Sequence, residues 1–339
     1  MTTNALEGGF TTRAGRRLAF TRLGFGGASI GAPVEAQSEA DAAELVRTAW
    51  DLGLRYYDTA PFYGFGRAER RLGEAMKTRP RDDFVLSTKA GRRLHAGAEA
   101  WRDTGAGEPF DFDYSYDGIM RSFEGSLERL GLGRVDIVYV HDVDGKVHPG
   151  RAASEARIQE LMLTGGWRAL EGLRSSGAVG AIGVGVNEWE PCARMLEFAD
   201  PDLFLLAGRY TLLEQEPLNA LFPVCVKRGV GIVVGGPLNA GSLVGGPLYD
   251  YAPAPKAIRD RVAAIAEVCR SHGVPVLSAA LKFIAAHPVV VSIVTGAANP
   301  AELRQNAAAF TGPAPPAALW RDLKAERLLH LDAPVPDGP

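Results

Sequence analysis

The sequence predicts an α/β chain that closes into a single (β/α)8 TIM barrel, with long loops at its C-terminal rim and an additional C-terminal helix. Three observations carry this expectation. Eight apolar runs alternate with segments of helical spacing, and alternation of that kind gives a parallel sheet. The runs are nearly continuous in aliphatic and aromatic residues, as strands buried on both faces require. No shift in composition marks a linker, so the 339 residues read as one domain, with the barrel over about 18–312 and a helix and tail over 313–339.

The elements follow in order. The stretch 10–20 is polar around Ala14-Gly15-Arg16 and suggests a terminal hairpin or arm. The Gly-rich run "LGFGGASIG" from Leu23 ends the first strand where backbone can approach a ligand closely. Ser38 to Asp41 forms a capping box before a helix whose apolar residues are Ala42, Leu45, Val46 and Ala49, stopped by Gly53. "RYYDTAPFYG" (55–64) is a strand that halts at Pro61 and Gly64. Glu69 to Arg79 is its helix, and "FVLSTK" (84–89) is a third strand ending on a lysine. The segment 91–116 is long, holds Trp101 and four further aromatics, and reads as a functional loop. A helix over Ile119 to Leu130 leads to strand four, Val135 to Asp142. A polar loop from Asp144 to Ala156 precedes a helix over Ile158–Arg174. Strands five and six are Val179 to Asn187 and Leu203 to Tyr210; Pro217 to Arg228 is helical, and strand seven starts at Gly231. A third loop, 235–255, carries clustered Gly and Pro. Helices over Lys256–His272 and Val276–Ala286 precede strand eight, Val289 to Val294. Asn299-Pro300 then opens a helix with an N-cap and a proline at the first position. In the tail a helix over Ala317–Leu329 packs outside the barrel before the chain frays.

Composition bounds the function. Hydrophobic residues make up 46%, and the formal net charge of −3 with a pI near 6.1 offers no basic field for nucleic acid or an anionic membrane. Cys192, Cys225 and Cys269 are odd in number and far apart, with no metal-ligand spacing, and read as reduced thiols of a cytoplasmic protein. The first ten residues lack a charged leader with an apolar run behind it, and no stretch approaches the ~20 apolar residues of a membrane span.

Four ionisable residues fall at or just past the ends of three strands: Asp58 and Tyr63, Lys89, and His141. Each alone has a plain structural explanation, but together they converge on the rim where parallel barrels carry their chemistry. A buried Lys89 is costly unless paired, and Asp58 can pair it. An ammonium ~4 Å from the Tyr63 oxygen, at an effective dielectric of ~20, favours the phenolate by roughly 4 kcal/mol. That shift would move the phenol from ~10 to about 7, where it serves acid–base work at neutral pH. His141 then orients a substrate oxygen. Such a set suits proton transfer at an oxygen whose carbon gains or loses hydride.

With "YYDTAPFYG", "LSTKAG" and "DIVYVHD" in this order and spacing, the chain resembles the aldo-keto reductases over nearly its whole length. The resemblance implies a catalytic tetrad of Asp58, Tyr63, Lys89 and His141 and an extended nicotinamide cofactor bound without a Rossmann unit. It places Gly26, Gly27, Asp58, Asn187, Gly236, Pro237, Leu238, Thr295, Gly296, Glu302, Gln305 and Asn306 at the cofactor. Three positions depart from the family pattern: Val186 stands where a serine precedes Asn187, Ala207 replaces a glutamine, and Gly235 replaces the aromatic that stacks on nicotinamide. Where NADPH-preferring members carry Lys and Arg, this chain has Gly296 and Glu302. A carboxylate ~5 Å from a 2′-phosphate costs roughly 2 kcal/mol even when screened, so NAD is expected over NADP, with Arg304 as the nearby cation that could reverse it. "LGFGGASIG", "VGVNEW" and "AGRYTLLEQ" resemble the aldose dehydrogenase branch, which implies oxidation of an L-fucose, L-galactose or D-arabinose type sugar at C1 to the lactone. The alternatives are oxidation of pyridoxal at its hemiacetal carbon, general aldehyde or ketone reduction, and a non-catalytic binding role like that of channel β subunits.

Overall fold

The computed structural model describes residues 6–32, 36–98 and 109–336. Eight parallel strands close in chain order: β1 Leu23–Gly26, β2 Tyr56–Asp58, β3 Val85–Ala90, β4 Ile137–His141, β5 Ala181–Val186, β6 Leu203–Ala207, β7 Gly231–Gly235 and β8 Val290–Thr295, which returns to β1. The expected single (β/α)8 barrel is the observed one.

Strand periodicity does the positioning. Successive side chains point to opposite faces, so Tyr56, Val85, Ile137 and Tyr139 fill the barrel interior with Leu203, Leu205, Val233 and Val294. Their neighbours Tyr57, Leu86, Val138 and Val140 face the surrounding helices. Continuing the inward set by two residues brings Asp58, Ser87 with Lys89, and His141 to the top of the same interior. The bottom is closed by an antiparallel hairpin, Phe10–Thr11 with Arg17–Leu18, which seats Leu18 and Phe20 under the strands.

Local signals act as their chemistry dictates. Ser38 and Asp41 exchange the two bonds of a capping box at the start of Glu39–Asp51. Asn299 accepts from the Glu302 N–H at the start of Pro300–Thr311. Glu69, fully buried on helix Arg67–Met76, accepts from Thr88 Oγ1 at 2.7 Å and Arg129 Nε at 2.6 Å, tying that helix to β3 and to helix Tyr116–Leu130.

Four expectations are corrected. The helix over Ile158–Arg174 is two, Arg151–Leu163 and Gly166–Ser175, because Gly165 turns into the left-handed region (φ +84°) and the backbone of Tyr114 crosses Gly166. Pro223 lacks the N–H that would continue the turn, so Pro217–Arg228 divides into Pro217–Ala220 and Phe222–Arg228. The segment 91–116 is not wholly loop: Arg92–Leu94 pairs antiparallel with Phe110–Phe112, while Trp101 lies outside the described residues. The last helix ends at Ala325, but the chain beyond it is packed rather than frayed as far as Ala333, with Leu328, Leu329 and Ala333 buried and Lys324 Nζ donating to the Ala333 carbonyl at 2.8 Å.

The turn that follows β2 depends on two glycines. Gly64 adopts φ +64°, and a Cβ there would lie 2.2 Å from the Gly31 carbonyl oxygen. Gly64→Ala is therefore expected to destabilise the fold by about 2–3 kcal/mol through backbone strain and collision, read as a lower urea midpoint with unchanged m-value.

Candidate active site

At the mouth of the barrel Lys89 is buried, 2% exposed, and its ammonium donates to Asp58 Oδ2 at 2.7 Å and to the Thr59 carbonyl at 2.9 Å. The other Asp58 oxygen accepts from Ser87 Oγ at 2.7 Å, and Ser87 is joined through the Tyr56 hydroxyl at 3.1 Å to the Tyr139 hydroxyl at 3.2 Å from it. This chain of interior hydroxyls fixes the carboxylate, so the buried lysine meets a charge that cannot swing away. Burial lowers the affinity of Lys89 for its proton, but Asp58 and the Tyr63 phenol more than offset it, and the group is held above its ordinary range.

Tyr63 arrives from the turn after β2, where its N–H bonds the Ala60 carbonyl at 3.1 Å and its carbonyl receives Ala68 N–H at 3.1 Å. Its ring lies under the Lys89 ammonium, 4.6 Å from Nζ to the centroid, and edge-on to His141 at 6.0 Å between centroids. The expected fall of the phenol toward neutrality is not found. Burial pushes it up to about 12, with Lys89 lowering it and Asp58 raising it again. The lysine's attraction alone would lower the phenol, but desolvation outweighs it and the neighbouring carboxylate opposes it.

His141 is buried, and burial with the charges of Arg92 and Lys89 keeps it neutral, well below its usual range. Its Nε2 lies 3.2 Å from Asp142 Oδ2, while its Nδ1 has no hydrogen-bond partner among the described residues. Asp142 follows in left-handed backbone (φ +53°) and pairs with Arg92. The Tyr114 hydroxyl clamps this turn from behind, 2.8 and 2.9 Å from the carbonyl oxygens of His141 and Asp142. Tyr63, Lys89, His141, Arg92 and Asp142 all line one cavity of about 430 Å³ that opens at the C-terminal rim. Asp58 stands behind Lys89 and is not part of the wall. A neutral phenol, a neutral imidazole and a fixed ammonium around one cavity can bind an oxygen on carbon and pass it a proton.

The sequence profile described as the aldo/keto reductase family matches residues 22–318. The chain belongs to the aldo/keto reductase family. It is 39% identical over 327 residues to a D-threo-aldose 1-dehydrogenase from Pseudomonas sp, covering 92% of this chain and 95% of that one. It is also 39% identical over 331 residues to a pyridoxal 4-dehydrogenase from Microbacterium luteolum, with the same coverage. Among solved structures it resembles the holo form of an aldo-keto reductase from Bacillus halodurans, with a TM-score of 0.73, 26% identity, and 94% and 95% of the two chains covered. It is thus an oxidoreductase acting on CH–OH groups.

In this aldo-keto reductase the positions expected at a nicotinamide cofactor fall in three groups. Asn187 shares the cavity wall with Tyr63; its amide donates to Asp142 Oδ1 at 3.0 Å and Asp144 Oδ2 at 3.1 Å, which leaves its carbonyl oxygen as an acceptor for a carboxamide. Gly236 lines a small adjoining cleft with Asn187, Ala207 and Gly208, while Pro237 is buried and Leu238 packs partly into the core. Gly26, Gly27, Thr295 and Gly296 cluster where β1 and β8 end: a Cβ on Gly26 would lie 3.4 Å from Gly296 N, and one on Gly27 would lie 2.8 Å from the Asp58 carbonyl oxygen. Asn306 bonds the Gly296 carbonyl from the following helix at 3.4 Å, and Gln305 is exposed beside it. A Cβ on Gly296 would meet nothing within 4 Å, so this rim is open for a ligand. The strands that end at these groups, β5, β7, β8 and β1, follow one another with β6 between the first two, so the groups lie on one arc of the rim. Glu302 is turned back on its own helix, accepting from Ala298 N–H at 2.8 Å and Asn299 Nδ2 at 3.2 Å.

Sequence reasoning did not single out Arg92, Asp142, Lys146, Asp250 and Tyr251, all of which line the cavity. The signal for Asp142 and Asp144 was the "HDVD" run, two acids directly after the histidine. Arg92 lay in "KAGRR", just past the lysine strand.

Proposed function

We propose that this chain oxidises an aldose at C1 to its lactone with NAD, taking the hydroxyl proton at Tyr63. The observation that carries the reading is the convergence of Tyr63, Lys89 and His141 on one cavity, with Lys89 locked to Asp58. The identity to an enzyme named D-threo-aldose 1-dehydrogenase supports the sugar. The equal identity to one named pyridoxal 4-dehydrogenase keeps pyridoxal oxidation as the second reading, chemically the same step on a flat ring.

Bound oxidised nicotinamide supplies the hydride acceptor and a positive charge beside the cavity. Everything else falls to the protein. Asn187, with Gly236 and the Thr295–Gly296 rim, would hold the dinucleotide. His141 would fix the reacting oxygen, and Tyr63 would exchange its proton. Lys89 would bias Tyr63 toward its ionised form, with Asp58 keeping the lysine charged and in place.

Preference for NAD is supported by Glu302. The start of a helix is where an anion binds, and here the Glu302 carboxylate already occupies that end, accepting from the Ala298 N–H. Incubation with NAD and L-fucose, L-galactose or D-arabinose is expected to produce NADH absorbance. Turnover of pyridoxal with none of these sugars would overturn the aldose reading. NAD is expected to exceed NADP in kcat/KM by about tenfold or more, equivalent to about 1.4 kcal/mol, and Glu302→Lys is expected to narrow or reverse that ratio. A tenfold preference of the unaltered protein for NADP would remove the cofactor assignment.

A further inference from the structure

We infer that Tyr139, Tyr56 and Ser87 form a one-way hydroxyl array beneath the tetrad, and that these three positioning residues act in series, through Asp58, on the proton exchange at Tyr63. This rests on the reading of Tyr63 as the proton carrier.

Strand period places the array. Each member stands two residues before a tetrad residue on its own strand: Tyr56 before Asp58 on β2, Ser87 before Lys89 on β3, and Tyr139 before His141 on β4. Side chains two residues apart share a face, so the three hydroxyls occupy the layer below the tetrad. Register joins the strands there, with Asp58 opposite Ser87 and Lys89 opposite Tyr139. All three residues are fully buried and none lines the cavity, so no substrate reaches them.

The direction of the array is forced. Asp58, paired with the Lys89 ammonium, only accepts, so Ser87 Oγ donates its single proton to Asp58 Oδ1 at 2.7 Å. With that proton committed, Ser87 accepts from the Tyr56 hydroxyl at 3.1 Å. Tyr56 is then spent as a donor in its turn, and the bond at 3.2 Å runs from Tyr139. Leu18, Phe20, Ile137 and Leu203 pack with the two tyrosines in an apolar cluster. Burial with the Asp58 charge raises the Tyr56 phenol, and burial with the Tyr56 phenol raises Tyr139, so each keeps the proton it donates.

Aligned hydroxyls polarise one another and strengthen the last bond of the row. The row therefore draws on Asp58 Oδ1 while the ammonium holds Oδ2. At the Tyr63 phenol Asp58 opposes Lys89, so donors that take up the carboxylate's charge leave the lysine more effective there. Phenylalanines at positions 56 and 139 would fill the same space without that effect.

Series action has a signature that packing lacks. With 4-nitrobenzaldehyde and the better of NADH and NADPH, Ser87→Ala is expected to lower kcat about tenfold and Tyr139→Phe about threefold. KM and the cofactor dissociation constant are expected to stay nearly unchanged. In Ser87→Ala the array is already cut, so adding Tyr139→Phe is expected to change nothing further: the double variant stays about tenfold down, where independent effects would give about thirtyfold. Tyr56→Phe cuts the array with less change of shape, and Tyr139→Phe is expected to be silent in that background too, which decides the matter if Ser87→Ala does not fold. Effects that multiply in either background overturn the inference. So does a Ser87→Ala kcat within about twofold of wild type with native circular dichroism, or a loss of cofactor affinity equal to the loss in kcat. If Tyr63→Phe keeps its turnover, the proton reading fails and carries this inference with it. If Tyr63→Phe is inactive and the effects multiply, the proton reading stands and only the array falls.

Discussion

Replacing Tyr63 with phenylalanine is expected to lower kcat about 10²–10⁴-fold in both directions, the range for loss of a positioned general acid–base, while leaving the dissociation constant for nicotinamide cofactor nearly unchanged. The ring remains, so its contact with Lys89 and His141 persists and only the proton carrier is lost. Steady-state rates with cofactor binding followed by fluorescence separate the two quantities. A variant that kept more than about a tenth of wild-type kcat would remove Tyr63 from the proton path. The pH dependence of the unaltered protein carries the same assignment. Burial holds the phenol at about 12, so it is protonated through the neutral range. Reduction uses the protonated form and is expected to stay level across neutral pH, failing only as pH approaches the phenol's own range. Oxidation uses the phenolate and is expected to climb as pH rises. An oxidation rate that fell between neutral and alkaline pH, with the fold intact, would contradict this sign.

The barrel was legible because its signals are local and periodic. Apolar runs such as Ile137–Val140 and stops such as Pro61 and Gly131 need no tertiary knowledge to be read. Period-two alternation then puts Asp58, Lys89 and His141 on the interior face together, so the proton-handling cluster followed almost from strand assignment alone. What escaped depends on contacts between distant loops. Arg92 matters because the 110–112 strand folds over it and Asp142 turns left-handed to meet it, and neither event has a signature within a few residues. Asp250 lies more than a hundred residues beyond Lys146 in sequence, and only the return of the 235–255 loop across the mouth joins them. The ionisation of Tyr63 is not legible for the same reason: a sequence names the charges in a site but not how much water each loses.

Exchanging Lys89 for methionine is expected to cost about 3–5 kcal/mol of stability, because it leaves the Asp58 carboxylate buried with Ser87 as its remaining side-chain partner. Activity falls in the same variant, since the phenol loses the influence that opposes its desolvation and moves further from ionisation. One measurement cannot tell these losses apart, but a second substitution can. In Lys89→Met with Asp58→Asn no charge is stranded, so urea unfolding is expected to recover most of the lost stability. Turnover is not expected to return with it, because Tyr63 still lacks an ammonium. The order of effects is therefore opposite for the two properties: for folding Lys89 serves Asp58, and for chemistry Asp58 serves Lys89. If the double variant stayed as unstable as the single one, the buried pair would not be what holds this corner of the barrel. If it regained wild-type oxidation, Lys89 would have no part in setting the state of Tyr63, and the proton would have to move by another route.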